Sequence, residues 1–155
     1  IMYSFKDIFV FDLANNHQGD VNHAKDIIKK IGDICKTKKV SGVVKLQFRD
    51  LDTFIHKKEV NNNDNKNIKR FLSTKLNWVQ YLEIKSFILD NDMKSMCTPF
   101  DEKSVDKIIE MGFDILKIAS CSANDWPLLE KAANSGLPII ISTGGLSIDE
   151  IDQVV

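Results

Sequence analysis

The sequence lacks any excess of charge of one sign: 21 Lys and Arg stand against 22 Asp and Glu, a formal net charge of −1. Near-neutrality removes the global electrostatic case for a nucleic-acid or anionic-membrane partner, so any anion site must be local. Cysteine is scarce. Cys35, Cys97 and Cys121 show no CxxC spacing and no partnering histidine cluster, which argues against a zinc site and a disulfide framework and fits a reducing, cytoplasmic setting. No apolar run approaches the roughly 18 to 20 residues that a membrane span needs, and the start lacks the basic-then-apolar layout of a signal peptide. A soluble, unexported protein with no membrane partner is expected.

What is present is the composition of an ordinary globular domain: 155 residues, 43% hydrophobic and 28% charged. Short β-branched apolar runs alternate with longer segments of helical period. Ile8 to Ala14, Gly42 to Phe48, Lys94 to Phe100, Ile115 to Ala119 and Pro138 to Thr143 read as five strands. Consecutive apolar residues, as in Val43-Val44 and Ile139-Ile140-Ile141, predict burial on both faces and hence a parallel sheet covered by helices. The covering helices have their own signals. Ala24, Ile27, Ile28, Ile31, Ile34 and Cys35 recur at three- and four-residue steps behind Asp20, a candidate N-cap. Asn77 and Gln80 have capping-box spacing ahead of Trp78, Tyr81, Leu82 and Ile88. A third helix spans about Glu102 to Met111, a fourth starts at Pro127, and a fifth follows Ser147 with Glu150 three residues on.

Repeated βα units suit an open doubly wound sheet or a TIM barrel. The polar residues favour the barrel, because every strand's C-terminal end carries groups capable of chemistry. They are Asn16 and His17, Lys45 and Gln47, Thr98, Lys117 and Ser120, then Ser142 and Thr143. A barrel assembles its site from many strand ends, whereas an open sheet concentrates it near one switch point. The fold class is therefore α/β, the first five βα units of a TIM (β/α)8-barrel. The polar tract from about His56 to Arg70 interrupts the pattern and reads as a long exposed loop, either a lid or a disordered insertion.

Lys45 and Lys117 lie inside strands among aliphatic neighbours, where an unpaired ammonium is costly to desolvate. A pair of such lysines at equivalent strand positions points to a bound dianion, a phosphate or an enolpyruvate's phosphate and carboxylate together. The bland alternative is a buried carboxylate partner for each, or snorkelling at the strand end. Thr98, Ser120 and Ser142 are hydroxyl donors for phosphate oxygens, and Gly144 and Gly145 allow close backbone approach at a helix start. Asn15-Asn16-His17-Gln18-Gly19 is dense in hydrogen-bonding side chains. Asp12, the sole carboxylate within the strand interiors, is a candidate to counter a lysine, orient a sugar, or act as an acid or base. His23 and His56 read as surface residues.

The order and spacing of several motifs then carry a resemblance: Asn-Asn-His-Gln-Gly at 15–19, Val-Lys-Leu-Gln at 44–47, Cys-Thr-Pro-Phe-Asp at 97–101, Leu-Lys-Ile-Ala-Ser at 116–120, Asn-Asp-Trp-Pro-Leu-Leu at 124–129 and Ile-Ser-Thr-Gly-Gly at 141–145. The chain resembles the sialic acid synthases and their relatives that make legionaminic and pseudaminic acids. That resemblance implies condensation of phosphoenolpyruvate with an N-acylated amino sugar. Lys45, Thr98, Lys117, Ser120 and Ser142 match the family's positions around phosphoenolpyruvate, with Gln47 close by, and Asp12 matches a position where many members carry glutamate. Asn16 and His17 join the substrate-binding candidates.

The resemblance also implies a divalent metal, manganese or magnesium, held by histidines on later strands, so this chain itself offers no metal ligands. It implies a small C-terminal antifreeze-like domain, absent here, and a homodimer for the complete protein. Residues 1–155 are accordingly expected to be an incomplete N-terminal portion of the barrel, inactive alone. The rival readings are another phosphoenolpyruvate-dependent or phosphosugar aldol-type barrel enzyme, and a truncated barrel that binds an anion without turnover.

Overall fold

The computed structural model describes residues 4–60 and 64–155. Five strands form one parallel sheet in chain order: β1 (Ile8–Ala14), β2 (Ser41–Phe48), β3 (Lys94–Pro99), β4 (Ile115–Ile118) and β5 (Ile139–Ile141). The helices between them are α1 (Val21–Lys38), α2 (Leu51–Phe54), α3 (Lys66–Ser73), α4 (Trp78–Asp90), α5 (Glu102–Glu110), α6 (Trp126–Ala133) and α7 (Ile148–Val154), with a 3-10 turn at Ser120–Ser122. This strand order with intervening helices is the α/β architecture of a TIM barrel's first five units. No helix among the described residues is long and apolar enough to cross a membrane.

The chain divides into two compact units, residues 1–46 with 51–95, and residues 47–50 with 96–155. In the first, β1 pairs with β2, and α1 packs on α4. Its core holds Ala24 and Ile28 of α1, Val43 and Val44 of β2, and Ile84 and Ile88 of α4, all fully buried. The expected capping signals operate: Asp20 accepts from the amides of Asn22 and His23, and Asn77 with Gln80 forms a complete capping box. In the second unit β3 pairs with β4 and β4 with β5, while α5 packs on α6. Met96, Val105, Ile108, Leu116, Ile118 and Leu128 form its core. Asp101 caps α5, Asp125 caps α6 with Pro127 in its first turn, and Ser147 with Glu150 boxes α7.

Three expectations need correction. Leu82 and Ile34 point to solvent, and Ile84 takes the buried place on α4, because the apolar stripe of α4 passes through Tyr81, Ile84 and Ile88. Burial on both strand faces holds for Val43-Val44 but only in part at the sheet's edges. Phe9 and Val10 of β1, successive residues on opposite faces, are 53% and 42% exposed, and Ile139 to Ile141 of β5 are half-buried. The tract from His56 to Arg70 is a loop for part of its length only. Asn65 accepts from the amides of Asn67 and Ile68 and starts α3, whose Ile68 and Phe71 join Leu51 and Ile55 in a small apolar cluster. The polar composition hid this cap, since asparagine is both a loop residue and a good N-cap. Residues 61–63 of that tract lie outside the described residues.

The reassigned face of α4 gives a direct test. Ile84→Ala should destabilise the chain by about 2–5 kcal/mol through lost burial and a residual cavity. Leu82→Ala should stay within about 0.5 kcal/mol. Urea-unfolding midpoints of the two variants check it, and equal losses would contradict the assignment.

Candidate functional site

In the first unit the predicted groups gather at the C-terminal end of β1. Asp12 is in register with Lys45 of β2, so the two side chains share a face, and Lys45 Nζ lies 2.9 Å from Asp12 Oδ1. The Lys45 side chain is 12% exposed and that of Asp12 is 56% exposed. The ammonium is thus sunk in the sheet and the carboxylate is its outlet to water, the partner that makes in-strand burial of a cation tolerable. Immediately after this pair the register shifts between Asp12 and Ala14, a bulge-type irregularity, and Ala14 adopts a left-handed φ of 44°. Bulges of this kind re-aim side chains and concentrate next to active sites.

A chain of tight turns follows, closed by bonds from the amides of Asn16 to the Leu13 carbonyl, Gln18 to Asn15 and Asp20 to His17. Asn16 is exposed and its side-chain amide reaches back to the Asp12 carbonyl at 3.5 Å. His17 turns inward. It is fully buried, its Nδ1 accepts from the Gly19 amide at 3.0 Å, and its buried Nε2 has no hydrogen-bond partner among the described residues. Accepting at Nδ1 requires the neutral ring with the proton on Nε2. Burial lowers the His17 pKa from the ordinary histidine range, and the neighbouring His23 lowers it further. Gly19 has φ of 78°, and a Cβ there would stand 2.9 Å from the Ser73 carbonyl oxygen, so the turn admits glycine alone without rearrangement.

In the second unit Lys117 pairs in register with Ile140, which puts Ser142, two residues on, on the same face. Lys117 Nζ donates to Ser142 Oγ at 2.5 Å and to the Ile118 carbonyl at 2.7 Å. On the other side β3 pairs Met96 with Ile115 and Cys97 with Leu116; one further step of that register sets Thr98 alongside Lys117. The Thr98 hydroxyl is buried and has no hydrogen-bond partner among the described residues. Buried hydroxyls are nearly always satisfied, so this one is an exception in the register position next to a half-buried lysine. Ser120 is exposed at the start of the 3-10 turn, and a Cβ on Gly144 would lie 3.7 Å from Ser120 Cβ, an ordinary contact. Of the two glycines expected to permit close approach, Gly145 is the one its backbone requires, at φ of 92°.

Gln47, also predicted, is half-buried and held by a residue the motifs did not single out. Arg49 Nη1 donates to Gln47 Oε1 at 3.1 Å, while the guanidinium carbon lies 3.7 Å from the centre of the Phe100 ring. Asp101, besides capping α5, accepts from the Asp50 amide, and Lys103 Nζ lies 2.6 Å from the buried Asp50 carboxylate. The signal was the Phe100-Asp101 end of the 97–101 motif, which explains itself only once Arg49 and Asp50 are packed on it. Among the described residues no three His, Cys, Asp or Glu side chains gather to hold a metal ion.

A lysine ammonium and hydroxyls gather here at adjacent parallel strand ends, and the fold is of the TIM-barrel class. The chain belongs to the NeuB family, whose sequence model matches residues 34–155. It is 44% identical in sequence to the crystal structure of spore coat polysaccharide biosynthesis protein E from Chromobacterium violaceum, with a TM-score of 0.92 over 96% of this chain and 44% of that one. It is 31% identical to N-acetylneuraminic acid synthetase from Leptospira borgpetersenii, with a TM-score of 0.77 over 96% and 48% of the two chains. Among curated relatives, the N,N'-diacetyllegionaminic acid synthase of Legionella pneumophila is 32% identical over 88% of this chain and 39% of its own length. The chain thus spans under half the length of the relatives it matches.

The buried His17 predicts a pH dependence. With its folded pKa below the unfolded value of about 6.5, the unfolded chain binds the proton more readily. Its contribution to stability is complete above about pH 6.5 and is lost as pH falls from there toward the lowered pKa. Urea midpoints measured between pH 8 and pH 5 should fall on the acid side in the wild type, and His17→Gln should flatten that slope. An unchanged slope in the variant would contradict the assignment.

Proposed function

We propose that the chain supplies the phosphoenolpyruvate-binding part of a sialic-acid-synthase-like enzyme, which condenses phosphoenolpyruvate with an N-acylated amino sugar of the N-acetylmannosamine type. The products are a nonulosonic acid and phosphate. The observation that carries the reading is the Lys117–Ser142 contact with the buried, partnerless Thr98 hydroxyl alongside. An ammonium and hydroxyl donors make a receptor for a phosphate or carboxylate, and relatives named as N-acetylneuraminate and diacetyllegionaminate synthases supply the reaction class.

The chemistry joins C3 of the enolpyruvate to the sugar's carbonyl carbon, whose oxygen takes up a proton. Water adds at C2 and gives up a proton, and cleavage of the C2–O bond releases phosphate and leaves the keto acid. Lys117, Thr98, Ser120 and Ser142 would bind the anion and stabilise charge that moves onto the departing phosphate. In the first unit Lys45 would be a catalytic ammonium with Asp12 as its counter-charge, an exposed carboxylate able to pass protons to water. The divalent manganese or magnesium expected of the complete enzyme would come with histidines outside this chain, and no step above runs through it. The complete protein would work as a cytoplasmic homodimer.

Titration calorimetry with phosphoenolpyruvate tests the anion site. The chain should bind it, and Lys117→Met and Thr98→Val should each weaken binding by about tenfold or more, the scale of a charge-assisted hydrogen bond. Wild-type failure to bind phosphoenolpyruvate would overturn the proposal. With N-acetylmannosamine and manganese added, the chain alone should release no phosphate, and a borohydride-trapped adduct on Lys117 or Lys45 would favour a Schiff-base aldolase instead.

A further inference from the structure

The loops that carry Ser120 and Ser142 run on into a second concavity of the same unit. A pocket of about 240 Å³ is lined by Asn124, Trp126, Leu146, Glu150, Gln153 and Val154. Trp126 opens α6 with Asn124 just ahead of it, Leu146 precedes α7, and the other three lie on α7. Asn124 follows Ser120 by four residues, and Leu146 follows Ser142 by four. Neither is therefore more than about 14 Å of extended chain from its serine. Tight turns shorten both paths, since the Ala123 amide donates to the Ser120 carbonyl and the Leu146 amide to the Thr143 carbonyl.

The lining has one consistent chemistry. Trp126 is 48% exposed, which leaves its ring open to a ligand. The side chains of Asn124 and Gln153 have no hydrogen-bond partner among the described residues. Glu150 is set in place by the capping box: its Oε2 accepts from the Ser147 amide at 2.7 Å and from the Ser147 hydroxyl at 2.8 Å. Its charge, with those of Asp149 and Asp152 on the same helix, disfavours a phosphate or carboxylate guest. The volume is below the roughly 300–1,000 Å³ of sites for drug-sized ligands, which suits a single ring.

Donor and acceptor counts narrow the class further. Each amide of the pair both donates and accepts, as a hydroxyl does, whereas an ammonium only donates and would leave the amide donors unanswered. An indole face matches the C–H face of a sugar ring, and polar groups beside it match the ring's hydroxyls. We propose that this pocket is an accessory sugar subsite, in which Trp126 stacks on one neutral pyranose ring while Asn124, Gln153 and Glu150 bond its hydroxyls. It uses none of the groups assigned to the anion, so it stands whether or not the strand ends take phosphoenolpyruvate.

The test is a titration of the 15N-labelled chain with N-acetylmannosamine, followed at the two tryptophan indole N–H resonances. That of Trp126 is identified by its loss in Trp126→Phe. It should shift saturably with millimolar sugar while the Trp78 resonance stays in place. Inorganic phosphate and tetramethylammonium at the same concentrations should leave it unmoved. Affinity should fall about fivefold in Asn124→Ala and in Gln153→Ala, the scale of one net hydrogen bond. Saturation transfer to the sugar C–H protons should persist in Trp126→Phe, which keeps an aromatic face, and vanish in Trp126→Ala. Circular dichroism verifies the fold of each variant.

A Trp126 resonance that ignores the sugar, or that moves equally with phosphate or tetramethylammonium, would overturn the proposal. Wild-type affinity in both amide variants, or undiminished saturation transfer in Trp126→Ala, would do the same. Phosphoenolpyruvate affinity is measured separately. Its absence would remove the functional reading, and the sugar titration would still decide this one.

Discussion

Placing lysines inside a sheet imposes the constraint from which the site follows. An ammonium among aliphatic neighbours must find oxygen within reach of a short arc around the strand end. The chain solves this in two different ways. Lys45 is answered by a carboxylate from the adjacent strand, Asp12, in the same register position. Lys117 is answered by a hydroxyl, that of Ser142, and by the Ile118 carbonyl of its own strand. Lys45 and Asp12 thus form an ion pair in the first unit, while Lys117 donates to neutral oxygens in the second.

The surrounding backbone is arranged to keep these groups at the strand ends. On the first unit the bulge after Asp12, the left-handed Ala14 and the buried His17–Gly19 bond turn the chain sharply away from the strand. A positive φ at a non-glycine residue costs roughly 1–3 kcal/mol and persists where neighbouring structure fixes it. Here the neighbours are Lys45 holding Asp12 on one side and the buried imidazole on the other. On the second unit Asp101 does the equivalent work, capping α5 with one oxygen and anchoring the end of β2 with the other.

Much of this was legible in the sequence, because strand ends and helix starts carry local signatures. The alternation of apolar runs gave five strands in order, and the capping boxes at Asn77 and Ser147 marked where helices begin. Lys45 and Lys117 were conspicuous as charges inside aliphatic runs. Other features depend on tertiary contacts that no local pattern carries. Nothing around His17 announces that its imidazole is buried and accepts from the Gly19 amide; that depends on the packed fold. Ile84 and Leu82 are equally apolar, and the neighbour α1 decides which is covered. Asn65 caps a helix that its asparagine-rich surroundings concealed.

Arg49 shows the same limit at the site itself. Arg49 stands four residues beyond Lys45, and nothing in the local sequence assigns it a partner. Its significance changes because its planar face is spent on Phe100 and one of its donors on Gln47. A charge held flat on an aromatic ring, with one donor on an amide carbonyl, has a place that only the packed fold supplies.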